Sequence, residues 1–164
     1  MPSMDEPTVP PGRQERALLV GSSGGHLTQL LALEPWWREI ERGWVTFDTP
    51  DAVHALAGEE HIWWAHHPTT RNVPNLLRNT RLAWRLVREF QPTIVVSTGA
   101  AVAWPFFLAA RRAGARTAYI EVYDRIETPT LTGRLCRPVT DLMLVQWPEQ
   151  ADLYDDAIVI GPLL

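Results

Sequence analysis

The sequence predicts an α/β domain whose parallel sheet carries helices on both faces, in a Rossmann-like arrangement. Short apolar segments alternate with segments of helical periodicity along the chain. Segment 142–145 is apolar throughout, and segment 93–97 is apolar apart from the hydroxyl residues at its two ends, as strands buried on both faces are. Strands that alternate with helices are typical of βαβ units, and such units build a parallel sheet.

The order of these segments defines the expected elements. We predict seven strands, at 17–21, 44–47, 62–65, 93–97, 117–121, 141–146 and 157–160. We predict five helices, at 27–40, 50–57, 75–90, 104–113 and about 131–137. The first 16 residues are rich in proline and acidic side chains and contain no apolar run, which predicts a disordered tail. Residues 17–164 are expected to form a single domain.

Composition narrows the class of protein. The chain has 164 residues, of which 46% are hydrophobic and 21% charged, as in a globular domain. The net charge of −4 argues against general nucleic-acid binding. The single cysteine, Cys136, excludes an internal disulfide and favours a reducing compartment. The longest apolar stretch, 100–110, is too short to span a bilayer, which needs about 20 residues. We therefore expect a cytoplasmic protein, either soluble or peripheral to a membrane.

A loop of small residues follows the first predicted strand. It consists of Gly21, Ser22, Ser23, Gly24, Gly25 and His26. Backbone N–H groups at such a strand-to-helix junction can bind an anion, and small residues let the anion approach them. The loop matches neither common phosphate motif, since it has no Lys-Ser/Thr pair and its glycines miss the G-x-G-x-x-G spacing. A phosphate-binding loop is one interpretation, and a tight turn without a ligand is the other.

Three further loops follow strands and carry polar or small residues, at 66–72, 97–101 and 121–125. Ligands of parallel α/β sheets bind beyond the carboxyl ends of the strands. We therefore expect these loops to converge with the first one at a single edge of the sheet. The adjacent His66 and His67 do not predict a metal site, because no Cys or Asp/Glu cluster completes a ligand set.

Five segments together carry a resemblance to a known family: 20–27, 97–100, 119–126, 130–134 and 144–148. They resemble the acceptor-side subunit of two-component glycosyltransferases, which includes PssD/CpsF-type proteins and the membrane-anchoring subunit of the eukaryotic dolichol-linked N-acetylglucosaminyltransferase. The N-terminal half of MurG is more distantly similar. The resemblance implies half of an inverting GT-B enzyme that moves a sugar from a UDP-sugar to a lipid-linked diphosphate acceptor, without a cofactor. It also implies a donor-binding half on a separate polypeptide.

Two alternatives to this function remain open: a truncated one-chain enzyme, and a non-catalytic scaffold that recruits a donor-binding subunit to the inner face of the cell membrane. An independent nucleotide-binding protein is disfavoured, because the first loop misses the dinucleotide spacing and no acidic residue ends the second strand at the ribose position, Asp48 being the nearest candidate. The apolar segment 158–164 is expected to dock on the donor-binding partner.

The resemblance also assigns roles to individual residues. His26 corresponds to the loop histidine of MurG-like enzymes and would act as general base, although it can instead cap a helix. Glu121 corresponds to the glutamate of the MurG His-Glu-Gln-Asn segment and would bind acceptor hydroxyls or act as base. The histidine and asparagine of that segment are replaced by Ile120 and Tyr123.

The remaining candidates are expected to bind the acceptor and its phosphates. They are the small residues of the first loop together with Arg71, Thr98, Gly99, Asp124 and Arg125. Arg71 can hold a diphosphate through a bidentate guanidinium contact. Asp124 and Arg125 can instead pair with each other.

The predicted helix 75–90 lies in a strongly basic part of the chain. Residues 71–90 contain five arginines and one glutamate, a net charge of +4. This helix either exposes a solvated charged face or contacts anionic lipid headgroups, to which each arginine contributes about 1 kcal/mol. The aromatic segments Trp36–Trp37 and Trp104–Phe107 can add interfacial contacts or pack in the core.

Overall fold

The computed structural model describes residues 13–164, and its sheet has seven parallel strands. The strands β1 to β7 are Arg16–Gly21, Glu41–Thr46, Ile62–Trp64, Ile94–Gly99, Arg116–Ile120, Leu142–Val145 and Ile158–Val159. The helices α1 to α6 are Gly25–Ala32, Glu34–Trp37, Pro50–Ala55, Val73–Phe90, Ala103–Arg112 and Leu131–Cys136. Short 3₁₀ helices cover Arg137–Val139 and Pro148–Leu153. The predicted α/β fold with a parallel sheet is confirmed.

The strand order is β3-β2-β1-β4-β5-β6-β7, so the direction of winding reverses between β1 and β4. Every strand pair is parallel, and the register aligns Leu19 of β1 with Trp44 on one side and Val96 on the other. All carboxyl ends therefore lie at one edge. The first and fourth strands flank the reversal point, where α/β sheets open a crevice for ligands.

Two hydrophobic clusters pack on the two faces of this sheet. On one face, side chains of α4, α5 and α6 pack against alternate residues of the central strands. On the other face, α1, α2 and α3 cover the β1–β2 side. An open groove of about 400 Å³ remains on this second face, and its floor is formed by β4, β5 and β6.

Two predicted elements differ from the structure by more than two residues at one end. The predicted helix 27–40 is two helices that meet at Leu33, because Pro35 lies in the first turn of α2 and cannot donate a backbone hydrogen bond to continue α1. The second strand begins at Glu41 rather than at 44. The predicted tail 1–16 lies largely outside the described residues, and its last residue, Arg16, is the first residue of β1.

The fourth helix starts two residues before its predicted position. The Asn72 side chain accepts a hydrogen bond from the Asn75 backbone N–H at 3.0 Å, and Pro74 occupies the first turn, where a missing N–H costs nothing. The helix ends at Phe90, before Gln91 in the left-handed conformation. None of the helices in the described part of the chain is long and apolar enough to cross a membrane.

Candidate functional site

A cavity of about 450 Å³ opens at the carboxyl edge of the sheet. Three of the four predicted loops line it: the first loop through Gly25 and His26, the 97–101 loop through Ala100, and the 121–125 loop through its last four residues. The other lining residues are Gln29, Tyr119, Thr130 and Thr132. The expected convergence is therefore found for these three loops.

The fourth loop, 66–72, lies beside this cavity rather than in it. Arg71 lines a neighbouring apolar cavity of about 410 Å³. The other lining residues are Thr69, Asn72, Val73, Leu76, Ala101, Trp104, Leu131, Thr132 and Leu135. Because Thr132 lines both cavities, the two spaces adjoin.

Asparagine side chains of α4 hold the 66–72 loop in place. Asn79 is buried, accepts a hydrogen bond from the His66 N–H at 2.8 Å and donates one to the His66 carbonyl at 2.9 Å. Asn75 donates to the Pro68 carbonyl at 2.9 Å. His67 contacts the Asp48 carboxylate at 2.9 Å. Within residues 13–164, no group of three or more His, Cys, Asp or Glu side chains could hold a metal ion.

His26 is fixed by a reciprocal contact with the end of β4. Its Nδ1 lies 2.8 Å from the Thr98 carbonyl oxygen, and the Thr98 hydroxyl donates to the His26 carbonyl at 2.7 Å. A carbonyl can only accept, so Nδ1 carries a proton in this arrangement. Nε2 of the neutral ring is then the unprotonated nitrogen, which can accept a proton from a group in the cavity.

Gly99 provides the space that the His26 ring occupies. Its φ of 120° is one that residues with a side chain rarely adopt. A Cβ at this position would lie 2.9 Å from His26 Cε1 and 3.2 Å from the Tyr119 hydroxyl. Thr98 and Gly99, which were predicted to bind phosphate, are buried and lie behind His26.

Glu121, which was predicted to bind acceptor hydroxyls or act as base, lies beside the cavity and is enclosed by the protein. Its side chain is fully buried, and it is not among the residues that line the cavity. Oε1 accepts from the Val122 N–H and the Thr130 hydroxyl, both at 3.0 Å, while Oε2 accepts from the Thr130 N–H at 3.2 Å and from the Tyr154 hydroxyl. All of these partners belong to the protein itself. The contacts favour a structural role for this carboxylate, and its predicted role as a base stays untested.

The buried carboxylate changes the titration of neighbouring groups. Burial raises the pKa of the Cys136 thiol to about 12, and the charge of Glu121 contributes to the shift. Burial also raises the pKa values of Tyr119 and Tyr154, again with a contribution from Glu121. Gly133 makes room for this group, because a Cβ there would lie 2.8 Å from Glu121 Oε2 and still closer to the Tyr154 hydroxyl.

Of the other predicted ligands, Gly25, Asp124 and Arg125 line the cavity, and the remaining small residues of the first loop do not. Gly24, Gly25, Asp124 and Arg125 are exposed, while Ser22 and Ser23 are half-buried and Gly21 is buried. Within residues 13–164, no ion pair joins Asp124 to Arg125, which leaves both side chains available to a ligand. Four buried polar side chains beside the cavity were not predicted from the sequence: Gln29, Tyr119, Gln146 and Gln150. A polar side chain directly after an apolar strand was the signal for Gln146, whereas Gln150 lies in the following 3₁₀ helix and had no such signal.

Comparison with known proteins relates this geometry to a family. Residues 67–163 match the family model described as "Oligosaccharide biosynthesis protein Alg14 like". The UDP-N-acetylglucosamine transferase subunit ALG14 of Mus musculus is 24% identical over 190 residues, which covers 95% of this chain and 86% of the mouse protein.

MurG-type enzymes are also similar. The UDP-N-acetylglucosamine–N-acetylmuramyl-(pentapeptide) pyrophosphoryl-undecaprenol N-acetylglucosamine transferase of Moorella thermoacetica is 27% identical over 82% of this chain, but the match covers only 39% of that enzyme. The crystal structure of Acinetobacter baumannii MurG superposes with a TM-score of 0.71 and 18% identity, over 88% of this chain and 45% of MurG. The structural match supports the predicted GT-B half-fold. With its family model covering more than half of its length, the chain belongs to the Alg14-like family of oligosaccharide biosynthesis proteins.

Proposed function

We propose that this chain is the acceptor-binding subunit of a two-component inverting glycosyltransferase of the PssD/CpsF type. Its reaction would transfer a sugar from a UDP-sugar to a lipid-linked diphosphate acceptor. The observation that carries the proposal is the pair of adjoining cavities at the carboxyl edge. One contains an accessible histidine nitrogen and polar side chains, and the other is apolar with Arg71 at its margin. A lipid-linked diphosphate acceptor is divided in the same way, with a polar sugar and diphosphate at one end and a hydrocarbon chain at the other.

In this function His26 takes the proton from the acceptor hydroxyl through Nε2, because Nδ1 is engaged by the Thr98 carbonyl. Arg71 and Arg125 lie on the two cavities and can hold the acceptor's diphosphate through guanidinium hydrogen bonds. Gly25 is exposed and lines the cavity. Apart from its chain neighbours and the backbone of its own helix, no atom of residues 13–164 lies within 4 Å of the place where its Cβ would be, so a ligand can approach the loop there. The apolar walls formed by Leu131 and Leu135 are suited to the first part of the lipid chain.

The groove on the second face of the sheet supports the need for a partner. Its floor consists of Ile94, Val96, Ala118, Ile120, Leu142 and Leu144. Parallel sheets are covered on both faces. Ile94, Val96, Ala118 and Ile120 of this floor are already buried, whereas Leu142 and Leu144 are half-buried and Trp36 at the margin is exposed. The neighbouring side chains of Ile158, Val159 and Ile160 are exposed. We propose that the donor-binding subunit covers this surface.

The outer face of α4 supports a peripheral position on the inner face of the cell membrane. Val73, Leu77 and Trp84 are exposed on one strip of this helix. Arg81 and Arg88 border the strip, and both are exposed. Apolar side chains flanked by arginines fit the boundary between headgroups and acyl chains. By contrast, Phe106, Phe107 and Trp37 are buried, so the predicted interfacial role of their segments is not supported by these side chains.

The experiment that tests the function uses the subunit with and without a donor-binding partner resembling the remaining part of MurG. Alone, the subunit should neither bind a UDP-sugar tightly nor transfer sugar to a polyprenyl-diphosphate acceptor, while the complex should do both. Deletion of 161–164 should weaken the complex and leave the fold largely intact. Robust transfer by the isolated subunit would contradict the two-component proposal.

The scaffold alternative is favoured by one observation, the enclosure of Glu121 among protein donors. It predicts that the site residues of this chain can be changed without loss of turnover.

The proposed membrane contact of α4 is tested separately, by sedimentation of the protein with phosphatidylglycerol vesicles. Arg81→Glu together with Arg88→Glu should reduce binding, and Arg112→Glu on another exposed surface serves as the control. Equal binding of both variants would contradict a contact through α4.

A further inference from the structure

Three glutamines are buried together beneath the cavity at the carboxyl edge. Gln29 lies on α1, Gln146 follows β6, and Gln150 belongs to the 3₁₀ helix after it. Their exposed fractions are 2%, 1% and 0%. Burying an amide is unfavourable unless its hydrogen bonds are satisfied, so the contacts of these side chains indicate what they hold in place.

Gln150 uses the full capacity of its side-chain amide. Nε2 donates to the carbonyls of Val122 and Arg125, each at 2.7 Å. Oε1 accepts from the backbone N–H groups of Gln146 and Trp147 at 2.8 and 3.2 Å. The two carbonyls are the ends of segment 122–125, and all four residues of this segment line the cavity. One side chain therefore fixes both ends of a cavity wall.

Gln146 connects this wall to α1, the helix that contains His26 in its first turn. Its Nε2 donates to Gln29 Oε1 at 2.7 Å and to the Glu121 carbonyl at 3.1 Å. Its Oε1 accepts from the Leu163 N–H at 3.1 Å. Gln29 is three residues after His26, hence on the same side of α1, and it also lines the cavity. The distance between segment 122–125 and His26 thus depends on this amide.

We propose that Gln146 and Gln150 are positioning residues for sugar transfer, an inference that rests on the proposed function. They hold segment 122–125 against α1 so that Asp124 and Arg125 present the acceptor to His26. At position 150 an apolar side chain of similar size would fill the same volume but remove the side-chain partner of the Arg125 carbonyl and of the Gln146 and Trp147 N–H groups. The Val122 carbonyl would keep only the Arg125 N–H, at 3.3 Å.

The test compares Gln150→Met, Gln150→Glu and Gln146→Met with the control Gln14→Met, which alters an exposed glutamine. Gln150→Glu keeps the oxygen that accepts from Gln146 and Trp147, but it places a second oxygen against two carbonyls. Each variant is measured in complex with the donor-binding partner, using a UDP-sugar and a short-chain polyprenyl-diphosphate-linked sugar. Hydrogen exchange of amides 122–126 is followed in the same complexes.

We expect the acceptor KM to rise about tenfold in the three buried variants, corresponding to about 1.4 kcal/mol. The KM for the UDP-sugar should stay within about twofold. A general loss of folded protein would lower the apparent turnover and leave both KM values unchanged, so it would not raise the acceptor KM alone. Exchange of amides 122–126 should become faster, and the control should match the wild type.

An unchanged acceptor KM and unchanged exchange in an active complex would overturn the inference. Equal changes of both KM values would also overturn it, because they would indicate a merely structural effect. A wild-type complex that transfers no sugar would instead overturn the proposed function, and the assigned role of the glutamines with it.

Discussion

The carboxyl edge of the sheet contains two ionisable side chains in contrasting surroundings. His26 lines an open cavity, and one ring nitrogen is held by the Thr98 carbonyl. Glu121 follows β5 at the same edge, but both of its oxygens are occupied by donors of the protein. The same edge therefore serves two purposes. The histidine faces an open cavity, and the carboxylate binds donors of the loop that leads to the opposite wall.

This contrast gives the largest expected effect. If His26 is the general base, as we propose, His26→Ala should lower turnover of the complex about 100-fold. Stability and complex formation should change little, since the side chain is only partly buried. Steady-state kinetics and thermal unfolding check both expectations. His54→Ala, at an exposed position of α3, is the matched control. Turnover near the wild-type rate would favour the scaffold alternative.

A smaller effect is expected when the histidine is kept but displaced. Gly99→Ala would place a Cβ 2.9 Å from His26 Cε1, so the ring must move. We expect turnover to fall about tenfold, since small errors in the position of a reacting group are costly. Gly58→Ala is the control, because Gly58 also has a positive φ but has open space around its missing Cβ. Equal losses in both variants would indicate backbone strain rather than displacement of the ring.

Substitution of the enclosed carboxylate, Glu121, should reduce stability more than turnover, the opposite of what we expect for His26→Ala. Glu121→Gln replaces one of two accepting oxygens with a donor that faces Thr130 and Tyr154. Leaving buried donors without an acceptor costs about 2 kcal/mol, which lowers Tm by about 4–8 °C in a domain of this size. Turnover of the protein that remains folded should fall less than it does in His26→Ala.

This variant also distinguishes the two roles considered for Glu121. An unchanged Tm with a turnover loss as large as that of His26→Ala would assign the carboxylate to the chemistry. Thermal unfolding and kinetics on the same preparation make the comparison direct.

The same two residues illustrate what the sequence could and could not predict. The apolar runs gave all seven strands, and parallel topology then located the site at their carboxyl ends. The pattern of apolar runs did not determine the direction in which a side chain points after the strand ends. Glu121 is enclosed because Thr130 and Tyr154, distant in sequence, supply donors around it. Gln146 and Gln150 were missed for the same reason, since their partners lie on other elements.

The smallest effect concerns Cys136, which reports on the enclosed region without affecting the site. Burial and the charge of Glu121 raise the pKa of this thiol to about 12 from the ordinary 9.0. The folded thiol therefore stays protonated at pH 8 and should react slowly with a thiol reagent, whereas the unfolded chain should react rapidly.

Above pH 9.0 the unfolded chain loses the Cys136 proton before the folded protein does, so the free energy of unfolding should fall as the pH rises from there towards about 12. The raised pKa values of Tyr119 and Tyr154 act in the same direction. Urea unfolding at pH 8 and pH 10 measures the change, and Cys136→Ala should reduce its slope. Rapid modification of the native protein at pH 8 would contradict the enclosure of this region.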